Sequence, residues 1–157
     1  MQKIKQRTML TSLLLGGSEM RYGEVVIAST QVKALRATPI IVAPAPGAGK
    51  VLEFRGGMLF FDYGTNVFTG PQNLAVRYKD GTGVQCSQNV TGTGFIDQAV
   101  DTMTGAVAKA DAIVSKANGE NQPLVLHNLG AAEITGNAAN DSVLRIKFAY
   151  RIHQTGY

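Results

Sequence analysis

The chain has 157 residues, 45% of them hydrophobic and 17% charged, with a net charge of +4, one cysteine and no tryptophan. A chain of this length makes one domain and buries roughly 70% of its unfolded surface, so it needs neither a metal nor a cross-link to hold a core. The single Cys86 excludes an internal disulfide, and so mild a basic excess does not mark a nucleic-acid binder.

Residues 1–21 read as an arm. Lys3, Lys5 and Arg7 precede the apolar run Met9-Leu10-Thr11-Ser12-Leu13-Leu14-Leu15. That order resembles a weak secretion signal, but the run is too short to span a bilayer and no A-x-A site follows it. Ile4, Leu10, Leu13 and Leu14 share one side of a short helix that Gly16-Gly17 breaks. These four are the candidate contacts to a neighbouring protein.

From Tyr22 the pattern becomes strand-like, and residues 22–157 are expected to form one domain. Residues 24–28 and 39–43 are the first strands. Pro44-Ala45-Pro46-Gly47-Ala48-Gly49-Lys50 is a turn-rich connector. Residues 51–63 form a long strand whose paired Gly56-Gly57 predicts a bulge. In it Met58, Phe60 and Asp62 face one way and Leu59, Phe61 and Tyr63 the other. Residues 73–79 alternate, with Leu74, Val76 and Tyr78 inward, and Asp80-Gly81 predicts a hairpin to a strand over 84–90.

Residues 95–102 read as a helical turn or two, and 106–115 are ambiguous between strand and an alanine-rich helix. Residues 124–129 are a further strand. Residues 143–153 alternate throughout: Leu144, Ile146, Phe148, Tyr150 and Ile152 on one face, Arg145, Lys147, Ala149, Arg151 and His153 on the other. Short strands separated by turns, without the long helices of a parallel sheet, predict an all-β fold. The expected form is an antiparallel β-sandwich, jelly-roll-like, with an N-terminal arm and at most one or two short helices.

The chemistry-bearing residues do not converge. Pro44 to Val51 resembles a phosphate-binding loop, but Pro44 stands where the first glycine belongs and Val51 where a hydroxyl must meet magnesium. A turn between strands explains it better. His127 and His153 stand on different strands, two ligands short of a metal site. Asp97 and Asp101 have helical spacing that a solvated face explains, and Asp62 is expected to hydrogen-bond where its strand ends. The row Arg145, Lys147 and Arg151 lacks interleaved aromatics on its own face, so it reads as a solvated or docking face rather than a phosphate track. No catalytic, metal or cofactor residues are assigned, and no enzyme activity is expected.

A family likeness rests on longer runs. Pro46-Gly47-Ala48-Gly49-Lys50-Val51 feeds a strand ending Phe61-Asp62-Tyr63-Gly64. Asn73-Leu74-Ala75-Val76-Arg77-Tyr78 follows, then Leu124-Val125-Leu126-His127-Asn128, Glu133-Ile134-Thr135-Gly136 and Leu144-Arg145-Ile146-Lys147-Phe148-Ala149-Tyr150-Arg151. Over about residues 28–153 this resembles the capsid decoration (cement) proteins of tailed bacteriophages. The resemblance implies a virion protein made in the host bacterial cytoplasm and bound to the outer capsid surface. Its implied partners are the major capsid protein and itself, as a homo-oligomer, trimer favoured over dimer, with no membrane and no specific nucleic acid. A head-fibre base, a tail protein or a receptor-binding module is the alternative within the virion, and Tyr22, Phe68 and Tyr157 are the aromatics such a module would expose. A small hydrolase on a jelly-roll scaffold is the third reading, and it requires a polar cluster.

Overall fold

The computed structural model describes residues 19–156. Among these the elements are β1 (Arg21–Ile27), α1 (Ser29–Val32), β2 (Ile40–Ala43), β3 (Lys50–Asp62), β4 (Phe68–Thr69), β5 (Leu74–Tyr78), β6 (Thr102–Ala106), α2 (Lys116–Gly119), β7 (Leu124–Asn128), β8 (Thr135–Gly136) and β9 (Val143–Gln154). Ile4, Leu10, Leu13 and Leu14 lie outside the described residues.

The fold is an all-β sandwich of antiparallel sheets. One sheet has the order β1-β9-β3-β6, a second β2-β7-β5, and β4 pairs with β8. Residues 84–90 extend the second sheet along β5 through bridges from Leu74 to Val90 and from Arg77 to Gln85. The chain therefore alternates between the large sheets: β1, β3, β6 and β9 in one, β2, β5, 84–90 and β7 in the other. The first and last strands end up side by side, with Ile27 opposite Leu144 and Arg21 opposite Tyr150.

Period-two side chains close the sandwich. Leu144, Ile146 and Phe148 of β9 are buried with Leu52, Phe54, Leu59 and Phe61 of β3 and Ile27 of β1. Leu74, Val76 and Tyr78 of β5 and Leu124 and Leu126 of β7 complete the core from the other sheet. Burial of each such side chain contributes about 1.5–3 kcal/mol, which is why a strict alternation dictates which face turns inward. The Tyr78 hydroxyl spans the two sheets and donates to the Leu52 carbonyl at 2.5 Å.

The expected bulge is present: the β3–β9 register slips between Phe54 and Gly56, where Gly56 has φ of 124°. Gly23, Phe148 and Gly57 then lie in one row across three strands. A Cβ on Gly23 would come within 2.4 Å of the Phe148 ring, and one on Gly57 within 2.5 Å of the Lys147 carbonyl. The Phe148 ring thus fills the space that Gly23 leaves, and the β9 backbone at Phe148 lies close against Gly57.

Local expectations resolve as follows. The Asp80-Gly81 turn is a longer loop: Lys79 takes φ of 68°, Gly83 N–H bonds to the Asp80 carbonyl, and the Asp80 carboxylate accepts from Thr82 N–H and Oγ1. Residues 84–90 run beside β5 through isolated bridges and hydrogen bonds such as Tyr78 N–H to the Val84 carbonyl and Cys86 N–H to the Val76 carbonyl, without forming a regular strand. Over 95–102 there is one turn, with Phe95 and Ile96 N–H both on the Gly92 carbonyl. Phe95 and Ile96 are buried there, and apolar burial rather than helix propensity holds the segment. Asp97 and Asp101 do not form a helix face, since Asp97 accepts from Gly94 N–H and Asp101 from Tyr63 N–H. The ambiguous stretch 106–115 is neither a helix nor a full strand: only Ala106 belongs to β6 (Thr102–Ala106), the edge strand beside β3, and Ala108 makes an isolated bridge to Ser87.

Candidate docking face

The site that the fold builds lies on the outer face of the β1-β9-β3-β6 sheet, and register explains it. Tyr22, Ala149 and Gly56 form one outward row, and Glu24, Lys147, Met58 and Gly105 form the next. Val26, Arg145, Phe60 and Met103 form the third. The first row has a floor without bulk, because Ala149 and Gly56 carry a methyl group and a hydrogen. Tyr22, Met58, Phe60 and Lys147 rise around that floor and enclose an open groove of about 580 Å³.

The walls are apolar and uncovered. Tyr22 is 80% exposed and Met58 37%, and Val26 and Met103 extend the apolar surface along the sheet. Scattered apolar residues on a surface are ordinary, whereas adjoining ones around a recess mark a contact surface.

Charges frame this face and are paired with one another. Arg145 donates to Asp62 at 2.9 Å and lies 4.0 Å from Glu24. Lys147 is 3.7 Å from the same Glu24. Both cations sit over the Phe60 ring, 5.8 Å from its centroid. The hydrogen bond it donates to Asp62, with that carboxylate's charge, holds the Arg145 guanidinium more firmly protonated than usual. Asp62 therefore bridges to β9 on the outer face, while Asp101, not Asp62, receives the amide at the end of β3. Two of the three residues in the basic row are engaged by carboxylates, which leaves them poor phosphate contacts.

The other chemistry-bearing residues stay apart. His153 Nε2 pairs with Glu53 at 2.7 Å, on the sheet opposite to His127. Burial would raise the Glu53 carboxyl, but hydrogen bonds from His153 and Arg55 outweigh it and hold the group below the usual carboxylate range. His127 is buried beside the 79–83 loop, where a Cβ on Gly81 would lie 2.6 Å from its Nε2. Burial first, then the nearby Arg77, lowers its basicity. Among the described residues no three His, Cys, Asp or Glu side chains gather as a metal site. Cys86 is buried, and burial pushes its thiol up to about 12, the reverse of an activated nucleophile. The Pro44–Val51 stretch leads into β3, not a helix, and Gly47 N–H is taken by the Asn121 side chain.

Of the three aromatics considered for a receptor-binding module, Tyr22 is exposed and lines the groove. Phe68 is fully buried in the core, packed on Phe61 with centroids 5.9 Å apart, because β4 turns it inward. Tyr157 lies outside the described residues.

Sequence reasoning did not find the groove. Its signals were present, however: one alanine inside a row of basic residues, and a glycine pair in the neighbouring strand.

No protein-family model matches the chain, and no curated protein matches it. Among solved structures, a chain of the "Cyanophage Pam1 capsid asymmetric unit" is 13% identical, with 87% of this chain and 86% of that chain covered and a TM-score of 0.45. A chain of the "Structure of infectious bursal disease virus Gx strain" is 10% identical with a TM-score of 0.31, and the likeness takes in 88% of this chain but 37% of that one.

Proposed function

We propose that the protein is a structural component of a tailed-phage particle that works without catalysis. In this reading it sits on the outer capsid surface as a symmetric oligomer, bound to the major capsid protein, and stabilises the head. The observation that carries the reading is the apolar groove on the outer sheet face, whose surrounding charges are already paired. Such a face suits another protein's apolar side chains and offers little to a charged small molecule. The strand order, alternating between sheets with first and last strands adjacent, is that of a jelly roll, a scaffold frequent in capsids, and this supports the reading at the level of architecture only. The family likeness of residues 28–153 supports it independently.

Each lattice contact can be weak, since linked contacts raise apparent affinity by roughly 10²–10⁴. The arm, with Ile4, Leu10, Leu13 and Leu14, belongs to this contact set. Purified protein added to particles that lack it should bind at defined symmetry positions seen by electron microscopy. Binding at the tail would move the assignment to a tail or receptor-binding part, and no binding to any particle would refute it. Deletion of residues 1–17 should reduce occupancy while leaving the sandwich folded.

A further inference from the structure

We propose that the groove between Tyr22 and Met58 receives the apolar run at residues 9–15 of a second copy of this chain. The inference rests on the reading of the protein as an oligomer and names the contact that makes it one. Three observations lead to it.

The first is size and chemistry. The groove runs from β1 across β9 to β3, two strand spacings or about 10 Å, the width of a single helix or extended segment. Its floor is Ala149 and backbone, and its rim charges are committed to one another through Arg145–Asp62 and Lys147–Glu24. An apolar occupant therefore leaves these ion pairs in place.

The second is supply. The segment preceding the described residues holds Met9, Leu10, Leu13, Leu14 and Leu15, and no other stretch of the chain is so rich in leucine.

The third is placement. That segment joins β1 at Arg21, next to Tyr22, the groove's own wall. Each copy thus carries donor and receiver side by side, so a rotation that brings one groove to a neighbour's exit point also closes the exchange. The run at residues 9–15 lies 6 to 12 residues before Arg21, a reach of up to about 20–40 Å, against a radius of gyration of about 15 Å for a domain of this length.

The full chain should run by light scattering as an oligomer at tens of micromolar. Met58→Glu, and separately deletion of residues 1–17, should reduce the mass to that of a monomer without loss of the β-sheet circular dichroism signal. Ala149→Gln, which fills the floor, is a second route to the same loss. Mixing a Leu13→Cys chain with a Met58→Cys chain under oxidation should give a disulfide-linked pair. A monomeric full chain, an unchanged mass for both groove variants, or no disulfide-linked pair in the mixture would overturn the proposal. Particle binding is scored separately: a chain that fails these tests yet binds particles sinks the exchange alone, and one that passes yet binds no particle sinks the lattice reading alone.

Discussion

Replacing Tyr78 by Phe tests how the two sheets are tied. Tyr78 is 7% exposed, and its hydroxyl donates to the Leu52 carbonyl across the core. Phe keeps the ring and its packing, so the change isolates one hydrogen bond. A typical net loss is about 1 kcal/mol, rising to about 3 kcal/mol if the carbonyl is left without a partner in the dry interior. For a domain of this size each kcal/mol lowers Tm by about 2–4 °C. The pH dependence adds a second, independent signature. Burial first, then the nearby Cys86 and Glu53, raises the Tyr78 hydroxyl above its ordinary 10.0, and burial raises Cys86 from 9.0 to about 12. In both the folded state holds the proton more tightly, so their stabilisation is complete below pH 9 and is lost as pH climbs past the unfolded values. Tyr78→Phe removes the tyrosine component of this alkaline loss. Urea unfolding followed by circular dichroism at pH 7, 9, 10 and 11 should show the variant less stable at pH 7 and the two curves converging above pH 10. Equal stability at pH 7, together with an unchanged alkaline decline, would refute the inter-sheet tie.

Other substitutions probe the remaining features. Gly57→Ala should destabilise by about 1–3 kcal/mol or prevent folding, since its Cβ meets the Lys147 carbonyl at 2.5 Å and Phe148 Cβ at 2.9 Å. Gly105→Ala on the neighbouring strand has nothing within 4 Å and should stay within about 0.5 kcal/mol of the parent in the same urea titration. Asn137 is buried, accepts from Ser29 Oγ and Ser142 N–H and donates to the Asn66 carbonyl. Its replacement by Ala strands several partners and should cost at least about 3 kcal/mol, with Asn137→Asp intermediate because it keeps the acceptor. Glu53 is held below its ordinary 4.5 by His153 and Arg55 against the opposing effect of burial. Its stabilisation is therefore present above pH 4.5 and lost as pH falls through the lowered value. Glu53→Gln should flatten the acid limb of a thermal-melt series run from pH 6 to pH 3.

Some of this protein is legible in the order of its residues. Val143–Gln154 alternates so strictly that only one face can be buried, because adjacent strand side chains point to opposite sides. The bulge in β3 follows from Gly56-Gly57, since paired glycines weaken a regular ladder and admit positive φ. Those two features, with the turn residues between short runs, are enough to specify a sandwich. The rest required partners distant in sequence. Thr102–Ala106 has no apolar face of its own and becomes a strand only because the edge of β3 offers it hydrogen bonds. Phe68 looks like a loop aromatic until β4 turns it against Phe61. The groove exists because Ala149, Gly56 and Tyr22 fall in one row, and a slip of one residue in either pairing would replace that floor with a side chain from the opposite face. Alternation within a strand decides which face turns inward, but the register between strands decides which side chains share a surface, and register is set by the packed core as a whole.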